Sequence, residues 1–96
     1  KNWSEACAMT QNVIVTRGAE TKTVTAHTLS RAELKTLSAE QRKISENGHV
    51  WYWTSTPNRA TTAWNVDGNG DFTGYISINN RYDAGGIRLG FKNPFI

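Results

Sequence analysis

Val50-Trp51-Tyr52-Trp53-Thr54-Ser55-Thr56 is the stretch on which the reading of this chain turns. Three consecutive aromatics flanked by β-branched residues suit the pleated, partly buried surface of a strand, because rings and branched side chains pack well there. Alternation places Val50, Tyr52 and Thr54 on one face and Trp51, Trp53 and Ser55 on the other, with Trp53 expected in the core and Trp51 less buried. Toward the C-terminus, Thr61 to Val66, Thr73 to Ile78 and Gly86 to Phe91 read as three shorter strands. The segments between them are rich in Gly, Asn and Asp, residues that favour turns. The expectation is a small, twisted antiparallel sheet.

Each connection carries its own expectation. Thr56-Pro57-Asn58-Arg59 should leave the sheet as an exposed loop, since proline cannot donate to a central ladder. Asp67-Gly68-Asn69-Gly70-Asp71 reads as a hairpin turn, although its alternating oxygen-bearing side chains also resemble the opening of a calcium loop. Phe72 stands where that loop would carry glycine and Ile78 where it would carry a bidentate carboxylate, so the hairpin reading prevails and no metal is expected. Asn79-Asn80-Arg81-Tyr82-Asp83-Ala84-Gly85-Gly86 forms a second, longer polar loop. Ile87, Leu89 and Phe91 then alternate with Arg88 and Gly90, the pattern of a half-buried closing strand.

Working back from the aromatic strand, a turn at Glu46-Asn47-Gly48-His49 delivers the chain into it. Ser30 with Glu33 three residues on makes a capping box at the start of a helix, from which Leu34 and Leu37 face inward. Ser38 with Gln41 repeats the signature, so the helix should break and restart near Ser38. From Asn12 to Thr28 both a pair of short strands and an extended loop are compatible with the pattern, with a turn at Arg17-Gly18-Ala19. Trp3, Ala6, Cys7 and Thr10 fall at helical spacing, predicting a helix from about Trp3 to Gln11 with Cys7 buried as a small hydrophobe. His27 has no carboxylate or thiol at a defined spacing and reads as structural.

The chain has 96 residues, 38% of them hydrophobic and 20% charged, with four Trp, three Tyr and three Phe. That length accommodates a single domain over residues 1–96, and the aromatics supply core side chains that disordered chains lack. The net charge of +3 comes from 11 scattered basic residues, without the stripe expected of nucleic-acid binding. No apolar run approaches the ~20 residues of a membrane span, and no signal sequence opens the chain. One cysteine forbids an internal disulfide.

Taken in order, the helix opening Trp3-Ser4-Glu5-Ala6-Cys7-Ala8, the segment Leu29-Ser30-Arg31-Ala32-Glu33-Leu34, then Tyr52-Trp53-Thr54-Ser55-Thr56, Ala63-Trp64-Asn65-Val66 and Gly86-Ile87-Arg88-Leu89-Gly90-Phe91 resemble the C-type lectin-like fold. The variant it is most similar to is the bacterial form at the tips of intimin- and invasin-like outer-membrane adhesins, also found in some phage receptor-binding proteins. The resemblance implies an α+β fold with two short helices on the sheet, upstream immunoglobulin-like domains and a place on the bacterial cell surface. The chain departs from animal members in having one cysteine and in carrying Thr56-Pro57-Asn58 and Trp64-Asn65-Val66 where those ligate calcium and sugar. Calcium-dependent sugar binding is therefore not carried over. The family's first strand, which pairs with the last, has no counterpart before Trp3, which fits a trimmed start.

The function so implied is a receptor-binding tip domain, taking a host protein or carbohydrate with no cofactor and no calcium. The candidate receptor-binding residues are Asn58, Arg59, Asn79, Asn80, Arg81, Tyr82 and Asp83, because arginine and tyrosine are enriched at binding hot spots and asparagine adapts its hydrogen bonds. A phage receptor-binding tip is the alternative. An enzyme of the formylglycine-generating fold would need a reactive thiol pair, which Cys7 alone does not supply.

Overall fold

A computed structural model describes residues 1–45, 50–80 and 86–95 of the chain. They form a small α+β domain with short helices and two antiparallel sheets. In chain order the elements are α1 (Trp3–Ala8), β1 (Thr10–Arg17), β2 (Glu20–Thr28), α2 (Arg31–Lys35), α3 (Ala39–Arg42), β3 (Trp51–Arg59), β4 (Thr62–Asp67), β5 (Phe72–Ser77) and β6 (Leu89–Gly90). One sheet has the order β1-β2-β6 and the other β3-β4-β5. The turn expected at Glu46 to His49 lies outside the described residues.

Local chemistry accounts for the helices. Ser30 and Glu33 bond reciprocally across the first turn of α2, and Ser38 and Gln41 do the same for α3, so the expected break at Ser38 is present. Asn2 and Glu5 close a third capping box on α1, a signal not read from the sequence. α1 stops at Ala8 rather than running to Gln11, because Thr10 opens an eight-residue strand. Ala6 is therefore its buried residue, and Cys7, expected in the core, is exposed. Such desolvation as the thiol does feel raises its pKa, which disfavours the reactive thiolate.

Of the two possibilities left open for Asn12 to Thr28, the chain takes the hairpin. β1 and β2 pair in unbroken register from Thr10 with His27 to Arg17 with Glu20. Gly18 turns it with a φ of 59°, a conformation that costs glycine little. The outer part of the hairpin is exposed on both faces. The Cα radius of gyration is 14.0 Å, above the ~12.5 Å expected for a compact chain of this length. The segment after β6 runs beside the hairpin, where Lys22 donates to the Pro94 carbonyl at 2.9 Å and lies 5.3 Å from the Phe95 ring.

The strands do not form the single sheet expected. The closing run contributes only Leu89 and Gly90 as a strand, and these pair with Thr28 and His27 of β2. Gly86 bridges Tyr52 in parallel, and its carbonyl accepts from the Trp53 N–H at 3.0 Å. Phe91 is 39% exposed rather than facing the core. Arg88, expected on a solvated face, donates to the carbonyls of Gln41 and Arg42 and to the Tyr52 hydroxyl, tying this segment to α3.

β3 is buried on both faces, not one: Tyr52, Trp53 and Thr54 are all buried, while Trp51 is only partly so. On one side Trp53 packs with Ala6 and Ala63, walled by Trp3, Ile76 and Ile87. On the other, Tyr52 packs with Leu34 and Val66 beneath α2, with Leu37 and Phe72 at the margin. Burial raises the pKa of the Tyr52 hydroxyl, and the hydrogen bond and charge of Arg88, with the charge of Arg42, partly offset this. The hydroxyl is satisfied, donating to the Arg42 carbonyl at 2.9 Å.

Pro57 does not leave the sheet. β3 continues to Arg59, with Pro57 opposite Ala63 and the register shifting on both sides of it. A proline is tolerated there because β3 is the edge of its sheet and the bulge relieves the ladder.

Candidate functional site

The hairpin joining β4 to β5 forms as expected. Asp67 turns its carboxylate onto the backbone, Oδ1 accepting from the N–H of Asn69 at 2.9 Å and of Asp71 at 3.1 Å. Gly70 adopts a φ of 93°, and a Cβ there would run into the Ala39 carbonyl. Among the described residues no group of three or more His, Cys, Asp and Glu could hold a metal ion. With Asp67 already committed to the turn, millimolar calcium or a chelator is expected to leave the melting temperature unchanged. A rise of several degrees on adding calcium would show that the turn reorganises around the ion, since a ligand bound only by the native state stabilises it.

Four of the seven candidate receptor-binding residues are described, and Arg81, Tyr82 and Asp83 lie outside the described residues. Asn58 and Arg59 are the last two residues of β3, and Asn79 and Asn80 form the turn after β5. All four are exposed. The topology brings the two segments to the same end of the sheet: Thr62 pairs with Ser77, and the Ile78 N–H donates to the Thr61 carbonyl at 2.9 Å. Asn58 is held across the sheet face, its Nδ2 donating to the Gly74 carbonyl at 2.6 Å. His27 lies with Nε2 3.9 Å from Glu33 Oε2, a proximity invisible in the sequence; Glu33 is also the capping partner of Ser30.

A groove of about 460 Å³ opens beside Asn58 and Arg59, lined also by Thr62, Trp64 and Gly74. These residues come from three strands; Asn58 and Arg59 are among the candidate receptor-binding residues, whereas Thr62, Trp64 and Gly74 were not read as part of a site. The Trp64 indole is half-exposed and carries the Arg31 guanidinium 4.3 Å from its centroid. Arg31 also lies 5.3 Å from the Phe72 ring, and Arg42 4.7 Å from it, so two cations and two aromatics alternate along this face. Among the described residues the Oγ1 of Thr62 and the Nε of Arg31 are buried with no hydrogen-bond partner, each a polar group whose isolation costs about 1–3 kcal/mol. The one signal in the sequence was alternation: Thr62, Trp64 and Val66 fall on one side of β4, and only Val66 is fully covered.

A second groove, of about 780 Å³, lies between α2 and the run after β6, lined by Leu29, Ala32, Thr36, Leu37 and Phe91 among others. Its surface is mainly apolar, with Glu33, Lys92 and Asn93 also in the lining.

Compared with known proteins, the chain matches no family model and has no significant match among curated proteins or solved structures. No helix among the described residues is long and apolar enough to cross a membrane.

Proposed function

We propose that this chain is a receptor-binding module of C-type lectin-like fold, the tip domain of a bacterial cell-surface adhesin of the intimin and invasin type. It recognises a host protein or glycan without calcium. The observation that carries the reading is the gathering of Asn58, Arg59, Asn79 and Asn80 at one exposed end of a sheet whose centre, at Tyr52, Trp53, Thr54, Ala63, Asn65 and Val66, is buried. A rigid scaffold presenting polar turns is the arrangement in which loops carry recognition. Arg81, Tyr82 and Asp83 follow directly in the chain and are proposed as binding residues with them.

The test is attachment of domain-coated beads to host cells. Arg59→Ala with Asn80→Ala, and separately Arg81→Ala with Tyr82→Ala, should each reduce attachment at least ~10-fold, since interface residues of these types can contribute ~2 kcal/mol or more. For Arg59→Ala with Asn80→Ala, folding followed by circular dichroism should be little changed, because exposed substitutions shift stability by under about 0.5 kcal/mol; the second variant is tested after the same check. Full attachment by both folded variants would overturn the surface. An equal loss with Lys35→Ala, on the outside of α2, would show that overall positive charge and not this surface is responsible.

A further inference from the structure

We infer that the groove between Asn58, Arg59 and Trp64 holds one anionic sugar unit, carboxylated or sulfated, of a receptor glycan. The inference rests on the receptor-binding reading above and narrows its ligand from protein or glycan to an acidic glycan.

Three observations carry it. The first is charge. Arg59 lines the groove and Arg31 lies over its Trp64 wall, and among the described residues neither guanidinium forms an ion pair with a carboxylate. Among the described residues no acidic side chain lines the groove, so their field favours an anion, and a planar guanidinium offers paired donors to a carboxylate or a sulfate.

The second is shape. Gly74 lines the groove, and a Cβ there would stand 2.7 Å from Asn58 Nδ2 and 3.1 Å from Trp64 Cζ3, so any side chain at this position would displace the amide and press on the indole. Arg31 stacked on Trp64 fixes the ring, and its half-exposed surface forms one wall. An indole beside polar groups suits a sugar ring, which presents a C–H face to the aromatic and hydroxyls at its rim. The volume of about 460 Å³ is at the small end of ligand pockets.

The third is unsatisfied polarity. Among the described residues Thr62 Oγ1, in the lining, is buried without a partner. Asn58, exposed in the lining, commits Nδ2 to the Gly74 carbonyl, which leaves its own carbonyl oxygen as an acceptor. A hydroxyl-rich ligand has donors for the Asn58 carbonyl oxygen. An extended peptide would instead seek a free strand edge, and this groove crosses the faces of β3, β4 and β5.

The experiment is a titration of the purified, isotope-labelled domain followed by the Trp64 indole N–H and the Thr62 and Gly74 amides. The probes are glucuronic acid, N-acetylneuraminic acid, galactose 6-sulfate, neutral galactose and a hexaglutamate peptide. At least one anionic sugar is expected to shift these three resonances with a millimolar Kd, of the order found for a single small unit, while galactose does not. Glucuronic and N-acetylneuraminic acid against the sulfated sugar separates carboxylate from sulfate. Arg59→Ala should weaken binding about 10-fold or more, the equivalent of one charge-assisted contact. Gly74→Ala, which displaces Asn58 and Trp64, should abolish it; if that variant does not fold, Asn58→Ala, expected to weaken binding several-fold, takes its place.

No shift with any anionic sugar at tens of millimolar, equal shifts with galactose, or tighter binding of hexaglutamate would each overturn the inference. Attachment separates this from the broader reading. If no sugar binds yet the Arg81→Ala with Tyr82→Ala variant loses cell attachment, the groove fails and the receptor module stands. If sugar shifts Trp64 while every loop variant attaches fully, the groove stands and the loop surface fails.

Discussion

Trp53→Ala is expected to destabilise the domain by about 3–5 kcal/mol, the range for truncating a buried aromatic. Trp53 is 0% exposed and lies where α1, β4 and the run before β6 meet, against Ala6, Ala63 and Ile87. A tryptophan buries roughly 150–250 Å², which at about 25 cal/mol/Å² gives ~4–6 kcal/mol before the walls relax. Relaxation is restricted, because those walls are held by other bonds. The Trp3 indole donates to the Thr54 carbonyl at 2.9 Å, and the Trp3 N–H donates to the Ile78 carbonyl at 3.2 Å. The substitution also removes the edge-on contact with Trp51, whose ring centroid lies 4.8 Å away, worth about 0.5–1.5 kcal/mol. Denaturant unfolding should show a lower midpoint with an unchanged slope. A loss under about 1 kcal/mol would mean that the core is not centred on this ring.

What could be read from the sequence was what short-range chemistry decides. The boxes at Ser30 and Ser38 depend on residues three apart, and the Asp67 to Asp71 turn on five consecutive residues, so each was legible. The burial of Trp53 followed from its size and alternation. The helical spacing of Trp3, Ala6 and Cys7 misled by one turn: Thr10 continued it by coincidence while belonging to β1, and Cys7 went to the wrong face. The partner of the closing strand was hidden for a different reason. Leu89 pairs with Thr28, a contact across most of the chain that no local pattern encodes. Pro57 was misread because its exclusion from sheets holds for central strands, and only the topology makes β3 an edge.

The candidate site divides in the same way. Asn58, Arg59, Asn79 and Asn80 could be named from turn composition, and their convergence required the pairing of Thr62 with Ser77. The groove was out of reach, since Arg31 comes from α2, Asn58 from β3, Trp64 from β4 and Gly74 from β5. Arg88 shows the limit most plainly. Alternation put it in solvent, and three hydrogen bonds to α3 and Tyr52 make it a strut.

Leu34→Ala should cost about 2–5 kcal/mol and should act on the groove as well as on stability. α2 has five residues and α3 four, far too short to persist undocked, so their order depends on packing. Leu34 is the fully buried residue that the two helices supply, 1% exposed between Tyr52 and Val66. The space it would vacate cannot easily collapse, because polar bonds hold α3 at its height. Arg88 binds the Gln41 and Arg42 carbonyls, and Arg42 donates to the Leu37 carbonyl at 2.6 Å and the Gly70 carbonyl at 2.8 Å. A cavity therefore remains, which places the loss toward the upper part of that range. The more telling consequence is at Arg31, the first residue of α2, whose guanidinium covers Trp64. When α2 loosens, the Trp64 indole resonance should broaden and its fluorescence become more quenchable, while amide signals along β1 and β2 hold their positions. Leu37→Ala, removing a side chain that is only partly buried at the margin of the same cluster, should cost less and leave Trp64 unmoved. A loss below about 1 kcal/mol for Leu34→Ala, or an unaltered Trp64 signal in a clearly destabilised variant, would show that α2 is held from elsewhere and that the wall of the groove does not depend on this leucine.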